Sequence, residues 1–221
     1  MAIILARPDY RRLTEAEITI WRGVSSCAAS DAQNRGMALP GAIGPLRPGM
    51  RIFGQARTVL PSPGDNACVL TLSNMLQPGE VMVVAGCGPD VAMAGELVGR
   101  QCRIRGAEGL VIDGAVRDSK TLADLGLPIF CLGRSPRGPV KEHGGFIDVT
   151  VGIGGISIAP GDLIIGDCDG VTVVPLQHSA RILRDCERAA TLDLSRMRAV
   201  EGGRTLADVF GLAAPTDMPQ D

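Results

Sequence analysis

Apolar positions in this chain fall into short runs separated by glycine, proline and acidic turns, and their period changes along the sequence. Residues 9–23 have the pattern of a first helix, with Thr14 and Glu17 at the spacing of a capping box. A second short helix is predicted over 24–35. Residues 36–49, rich in Gly and Pro, are predicted as a loop. Residues 50–60 (MRIFGQARTVL) favour a strand, and 61–66 (PSPGDN) a turn. A helix over 67–76 is closed by Gln77-Pro78-Gly79-Glu80.

The apolar run 81–85 (VMVVA) is bounded by turns, as in a strand buried on both faces. The pattern then predicts a Gly-rich turn at 86–90, a helix over 91–105 and a buried strand over 109–113 (GLVID). After these come a turn over 114–118, a helix over 119–125 and a strand over 128–132 (PIFCL). Strand–helix alternation over 81–132 predicts a parallel sheet with right-handed crossovers.

From 133 to 175 the rhythm changes. Short β-rich runs alternate with Gly-containing turns, which predicts an antiparallel or barrel-like part. Residues 178–201 predict an amphipathic helix. No repeat or linker divides the chain, so residues 1–221 are expected to form a single α/β domain.

Composition sharpens this picture. Aromatics are only 3% of residues, so the core must be aliphatic. Net charge is −2 and the only lysines are Lys120 and Lys141, so no basic nucleic-acid footprint exists and no nucleic acid partner is expected. The seven cysteines are scattered without a CxxC, as expected of small buried hydrophobes in a reducing compartment. The N-terminal run lacks a basic segment before it, and no window has the length of a membrane span. A cytoplasmic protein with no membrane partner is the expectation.

Two turns carry candidate chemistry. In the first, the strand ending at Asp113 turns at Gly114, so that Arg117 and Asp118 emerge at its C-terminal end, the edge where open α/β sheets bind ligands. Arg117 offers a planar donor fork to a carboxylate or oxyanion, and Asp118 offers a hard oxygen to magnesium or manganese. A plain ion pair, with Asp118 capping the next helix, explains the same residues. The second turn, 86–98, can present free N–H groups to an anion, or be an ordinary joint. The two turns lie on adjacent strands, so their tips should meet.

The run from Gly88 through Ala92, Gly95, Glu96 and Leu97, followed by Asp113-Gly114-x-x-Arg117-Asp118, resembles the 4-hydroxy-4-methyl-2-oxoglutarate aldolase family, which shares its fold with the regulators of ribonuclease E activity A. The resemblance covers roughly residues 20–210. Asp31, Gly54, Thr58-Val59, Gly64-Asp65-Asn66 and Pro160-Gly161-Asp162 agree with it, whereas Ala94 replaces a Trp common in the family.

It implies a three-layer β/β/α swivelling-domain-like fold, with parallel strand–helix units and a short-stranded barrel-like part. It also implies a divalent-metal-dependent class II aldolase that releases pyruvate from 4-hydroxy-4-methyl-2-oxoglutarate-type 2-oxo acids, with oxaloacetate decarboxylation as a side activity. Asp118 would bind Mg²⁺ or Mn²⁺ and Arg117 would contact the 2-oxo oxygen. The backbone of Gly95, Glu96, Leu97 and Val98 would cradle the carboxylate. A homotrimer or homohexamer is implied, with Asp193 or Glu187 of a neighbouring subunit approaching the metal. The alternative is a non-catalytic regulator that binds an RNA-degradation enzyme.

Other chemistries fit poorly. A Schiff base needs a buried lysine, and Lys120 and Lys141 fall on a first helical turn and a polar loop. His143 and His178 suggest no triad. Asp167-Cys168-Asp169-Gly170 lacks the later Glu of a calcium loop and predicts a hairpin turn. No fingerprint for S-adenosylmethionine is present.

Overall fold

The computed structural model describes residues 2–216. In chain order the elements are β1 (Ala2–Leu5), α1 (Glu15–Trp21), α2 (Ser26–Asp31), β2 (Gly44–Pro45), β3 (Ile52–Pro61), α3 (Ala67–Ser73), β4 (Glu80–Ala94) and α4 (Glu96–Ile104). Then follow β5 (Gly109–Val116), α5 (Ser119–Asp124), β6 (Ile129–Arg134), β7 (Gly144–Ile147), β8 (Val151–Ile153), β9 (Ile156–Ile158), β10 (Leu163–Asp167) and β11 (Gly170–Val174). A 3-10 turn over Leu176–His178 leads into α6 (Ser179–Glu201), and α7 (Leu206–Phe210) closes the described chain.

Nine strands form one mixed sheet, the α/β class expected from the alternation. β3, β4, β5 and β6 are parallel neighbours, and α3, α4 and α5 connect them in turn. Val81–Val84 pair with Gly109–Ile112 and are wholly buried, which is why both strands read as unbroken apolar runs. The later part is antiparallel, as predicted: β10 pairs with β11 and with β3, and β8 with β9. The predicted turn after Asp167 is the two-residue link of the β10–β11 hairpin, where Asp167 faces Gly170.

Several boundaries differ, each for a tertiary reason. The capping box at Thr14 is present, but the helix starts only at Glu15 instead of residue 9. Leu13 N–H donates to Gln55 Oε1 at 2.9 Å and Gln55 Nε2 donates to Arg11 O at 3.0 Å, so the preceding segment bonds to β3. The second helix stops at Asp31, short of residue 35, because Asn34 and Arg35 adopt φ of 57° and 61°. The predicted loop 36–49 contains β2, which pairs with β6. The third helix ends at Ser73.

The largest correction concerns 91–105. The strand does not turn into a helix at 91: β4 runs to Ala94 and α4 starts at Glu96. Likewise β5 runs past the predicted turn at Gly114 to Val116. Val91-Ala92-Met93-Ala94 has good helix formers, yet Ala92 pairs with Ala115 and Ala94 with Val116, and Ala92–Ala94 are buried. Pairing and burial outweigh a propensity of a few tenths of a kcal/mol per residue. β4 takes ten steps from Val84 to Ala94 while β5 takes four from Ile112 to Val116, so the excess bulges outward around Cys87–Val91.

A buried charge network ties the sheet's flank. The Arg57 guanidinium donates to both carboxylate oxygens of Asp148, at 2.8 and 2.7 Å, and to Glu80 Oε2 at 3.1 Å. Arg12 also pairs with Glu80. Removing Arg57 would strand the buried Asp148 carboxylate, since Glu80 keeps Arg12, a loss on the order of 3–5 kcal/mol. The cysteines divide: Cys68, Cys102, Cys131 and Cys186 are buried, whereas Cys27 and Cys168 are exposed. Burial pushes the Cys68 thiol up to about 11 and that of Cys102 to about 12, so both stay protonated at neutral pH. Among the described residues no helix is long and apolar enough to cross a membrane.

Candidate active site

The C-terminal ends of β4 and β5 bring the two predicted turns together. Arg117 N–H donates to Ala94 O at 3.0 Å, and Ser135 N–H donates to Val116 O at 3.0 Å, so the residue after β5 is held between β4 and the chain leaving β6. Asp118 follows in the left-handed region, φ 52° and ψ 36°. For a residue with a Cβ this conformation costs about 1 kcal/mol or more. It does not cap α5 with its side chain, contrary to the simplest expectation.

Instead Asp118 Oδ2 accepts the Glu96 N–H at 3.1 Å. The N-cap of α4 is Gly95, which has no side chain to offer, so the acid that serves this helix comes from a different turn. Gly95 is also required sterically. A Cβ there would lie 2.6 Å from Asp118 Oδ2 and 3.0 Å from Arg117 Cγ. The Leu97 and Val98 N–H groups, next along the first turn of α4, have no hydrogen-bond partner among the described residues.

Arg117, Asp118, Gly95, Glu96, Leu97 and Val98 therefore line one cleft of about 130 Å³. Arg117 Nε stands 3.6 Å from Asp118 Oδ2, and the two side chains are 50% and 42% exposed. That exposure leaves the guanidinium fork open to a ligand and keeps the ion pair weak. Gly138 backs the fork, since a Cβ there would meet Arg117 NH1 at 2.9 Å.

Sequence reasoning missed the rest of the lining: Asn66, Leu70, Ala92, Pro139 and Lys141. The Asn66 amide donates to Met93 O at 3.0 Å, while its Oδ1 is buried without a partner among the described residues. The Gly64-Asp65-Asn66 turn was visible as a motif, but no spacing rule ties it to a loop more than seventy residues on. Asp193 and Glu187 lie on α6, which packs on α2 and α7, and neither lines this cleft.

Other candidates fare worse. Asp167, Cys168 and Asp169 could surround an ion. Yet the Asp167 carboxylate already accepts the Ser26 N–H at 2.9 Å, the Ser26 hydroxyl at 2.6 Å and the Asp169 N–H at 3.1 Å. It ties the hairpin to α2. A wider cleft of about 780 Å³ beside Tyr10 includes Asp162, whose oxygens accept the Ala159 and Leu176 N–H groups. Lys120 sits on the first turn of α5, and His143 is an exposed loop residue.

Asp118 fits a hydrated hard cation. Its Oδ2 is engaged, and Oδ1 has no partner among the described residues. Magnesium keeps most of its waters and needs one or two carboxylates from a protein.

The chain is similar to known proteins of one family. Residues 26–173 match the model of the family described as RraA-like, Aldolase/RraA. A Halalkalibacterium halodurans protein bearing the name "Putative 4-hydroxy-4-methyl-2-oxoglutarate aldolase" is 36% identical over 192 residues, covering 85% of this chain and 91% of that one. An uncharacterised Pseudomonas syringae protein of known structure aligns with TM-score 0.81 and 26% identity, over 94% of this chain and 99% of the other. Streptomyces coelicolor RraAS2, described as an unusual member of the RNase ES inhibitor RraA protein family, aligns with TM-score 0.75 and 29% identity, over 85% and 100%. A strand-end Arg–Asp pair against a side-chain-free helix start thus accompanies a match over two thirds of the sequence, and the chain belongs to the RraA-like family.

Proposed function

We propose that this protein is a divalent-metal-dependent class II aldolase that cleaves 4-hydroxy-4-methyl-2-oxoglutarate-type 2-oxo acids to pyruvate, with oxaloacetate decarboxylation as a side activity. The observation that carries the reading is the junction at Gly95. The missing side chain lets Asp118, Arg117 and the free N–H groups of Leu97 and Val98 face one cleft. The name of the Halalkalibacterium relative points the same way.

In this reading Asp118 would hold Mg²⁺ or Mn²⁺, which when bound would supply Lewis acidity to a 2-oxo acid. The Leu97 and Val98 N–H groups receive the carboxylate, aided by the positive end of the α4 dipole. Arg117 donates to the 2-oxo oxygen and gains strength as negative charge develops there: the C4 hydroxyl gives its proton to water, C4 becomes a carbonyl as the C3–C4 electron pair passes to the enolate, and C3 takes a proton back from water to give pyruvate. Loss of CO₂ from oxaloacetate develops charge on the same oxygen, so one site serves both reactions. No lysine or histidine is needed as nucleophile.

We assign the domain to residues 1–221, since β1 pairs with β7 and α6 packs on α2 outside the family match. A homotrimer or homohexamer is supported by exposed apolar side chains, including Leu97 and Ile104 on α4 and Leu192, Leu194 and Met197 on α6. A cytoplasmic location and the absence of nucleic acid partners remain part of this proposal, on charge and composition.

The test is pyruvate release from oxaloacetate and 4-hydroxy-4-methyl-2-oxoglutarate with Mg²⁺ or Mn²⁺. Full activity in excess EDTA, or covalent trapping by borohydride, would overturn the assignment. The alternative, a regulator that binds an RNA-degradation enzyme, draws on the likeness to Streptomyces RraAS2 and its RNase ES inhibitor family. The open Arg117 fork beside Asp118 favours catalysis, and no turnover of either substrate would favour the regulator.

A further inference from the structure

One wall of the cleft takes no part in the reaction proposed above. It is built from the Gly64–Asn66 turn and the loop between β6 and β7. Val140 N–H donates to Gly64 O at 2.9 Å, and Asn66 N–H donates to Val140 O at 3.1 Å. The wholly buried Asp65 carboxylate accepts N–H groups from Ala67 at 2.7 Å, His143 at 2.8 Å and Glu142. These bonds fix the backbone on both sides of Lys141. Through Gly138 the same loop packs on the Arg117 guanidinium.

Lys141 lines the cleft and is exposed, and no carboxylate lies within ion-pair distance of it among the described residues. Arg117, by contrast, has Asp118 beside it. The cleft therefore presents an uncompensated ammonium on a pre-set loop. The same wall holds Asn66, only 5% exposed, whose amide orientation is fixed by the bond to Met93 O and whose Oδ1 lacks a donor. The wall thus lacks an anion and a hydrogen-bond donor.

We infer that Lys141 is the specificity-determining residue that selects dicarboxylic 2-oxo acids, pairing its ammonium with the carboxylate distal to the 2-oxo group. The inference rests on the aldolase reading for the placement of the 2-oxo end at Arg117 and the Leu97 and Val98 N–H groups. A dianion satisfies both ends of the cleft, whereas a monocarboxylic 2-oxo acid leaves Lys141 unpaired.

The experiment compares two stable ligands of equal chain length. In 2-oxopentanoate a methyl group replaces the distal carboxylate of 2-oxoglutarate. Each is titrated by calorimetry into the full chain with Mg²⁺ present. The wild type should bind 2-oxoglutarate about tenfold more tightly, the size of one charged hydrogen bond. Lys141→Met should bring the affinity ratio close to one, and Lys141→Arg should keep most of it. Equal binding of both ligands by the wild type, or an unchanged ratio in Lys141→Met, overturns the inference. Turnover provides the separate check. Lys141→Met should raise KM for 4-hydroxy-4-methyl-2-oxoglutarate more than for 4-hydroxy-2-oxopentanoate, with kcat changed little. If the wild type releases pyruvate from neither, the aldolase reading fails, and the calorimetric ratio still decides the role of Lys141.

Discussion

Asp118 occupies the space that a side chain on Gly95 would need: a Cβ at residue 95 would stand 2.6 Å from its Oδ2. Gly95→Ala therefore pushes the carboxylate off the Glu96 N–H and displaces Arg117 as well. Overpacking of this kind costs about 1–3 kcal/mol of stability, and misplacing catalytic groups by an ångström can cost on the order of 10² in rate. Calorimetric melting and steady-state kinetics on this variant should show a modest fall in Tm beside a large fall in kcat/KM. Wild-type turnover in Gly95→Ala would remove the junction from the mechanism.

Asp118 and Arg117 should separate by what they hold. Asp118→Asn keeps a residue that tolerates the left-handed backbone, so the fold should survive while the metal concentration for half activity rises. Arg117→Ala should lower kcat by roughly 10²–10³ with metal affinity nearly intact. Arg117→Lys should recover little, because a point charge does not reproduce the planar fork. If the pair is only an exposed ion pair, each change alters stability by at most about 1 kcal/mol and turnover stays put.

Acid should loosen the Lys141 loop. Burial works to raise the Asp65 pKa, but N–H groups from His143, Ala67 and Glu142 outweigh it and hold the carboxyl below its ordinary range. Because the folded value lies below the unfolded one near 3.9, the stabilisation is complete above about pH 4 and fades as pH falls through the folded value. Denaturant titrations between about pH 6 and about pH 3 should show a loss that is shallower in Asp65→Asn. That variant should also be less stable at neutral pH by about 1–3 kcal/mol, since its amide turns an N–H toward backbone donors. Parallel pH profiles in the two proteins would contradict this account.

Light scattering at micromolar concentration should find a trimer or hexamer. The exposures of Leu97 and Ile104, 80% and 78%, concern two residues seven apart on α4, which puts them on one face. Changing both to Glu should shift the protein toward monomers. A fully active wild-type monomer would refute the assembly.

Much of the fold and half of the cleft are legible in the sequence alone. The unbroken apolar runs at 81–85 and 109–113 mark strands covered on both faces, and Thr14 with Glu17 marks a helix start within a few residues. Arg117 and Asp118 do lie at a strand end, although the strand runs through Gly114 to Val116 and does not turn there as the glycine suggests. What stays hidden depends on distant partners. Val91–Ala94 look helical alone and become strand only through Ala115 and Val116. Asn66 and Lys141 join the cleft through bonds from Gly64 to Val140, which leave no periodic trace in sequence.

The bulge in β4 also sets where this chain can change length. Between Val84 and Ala92 the strand already departs from its partner's register, so a residue added at Gly88 or Pro89 only enlarges an outward excursion. One residue added between Ala94 and Gly95 would instead carry Gly95 away from Asp118 and Arg117. Insertions are therefore expected to accumulate before Ala92 and to be purged after Ala94, with fewer than ten residues separating the tolerant stretch from the intolerant point.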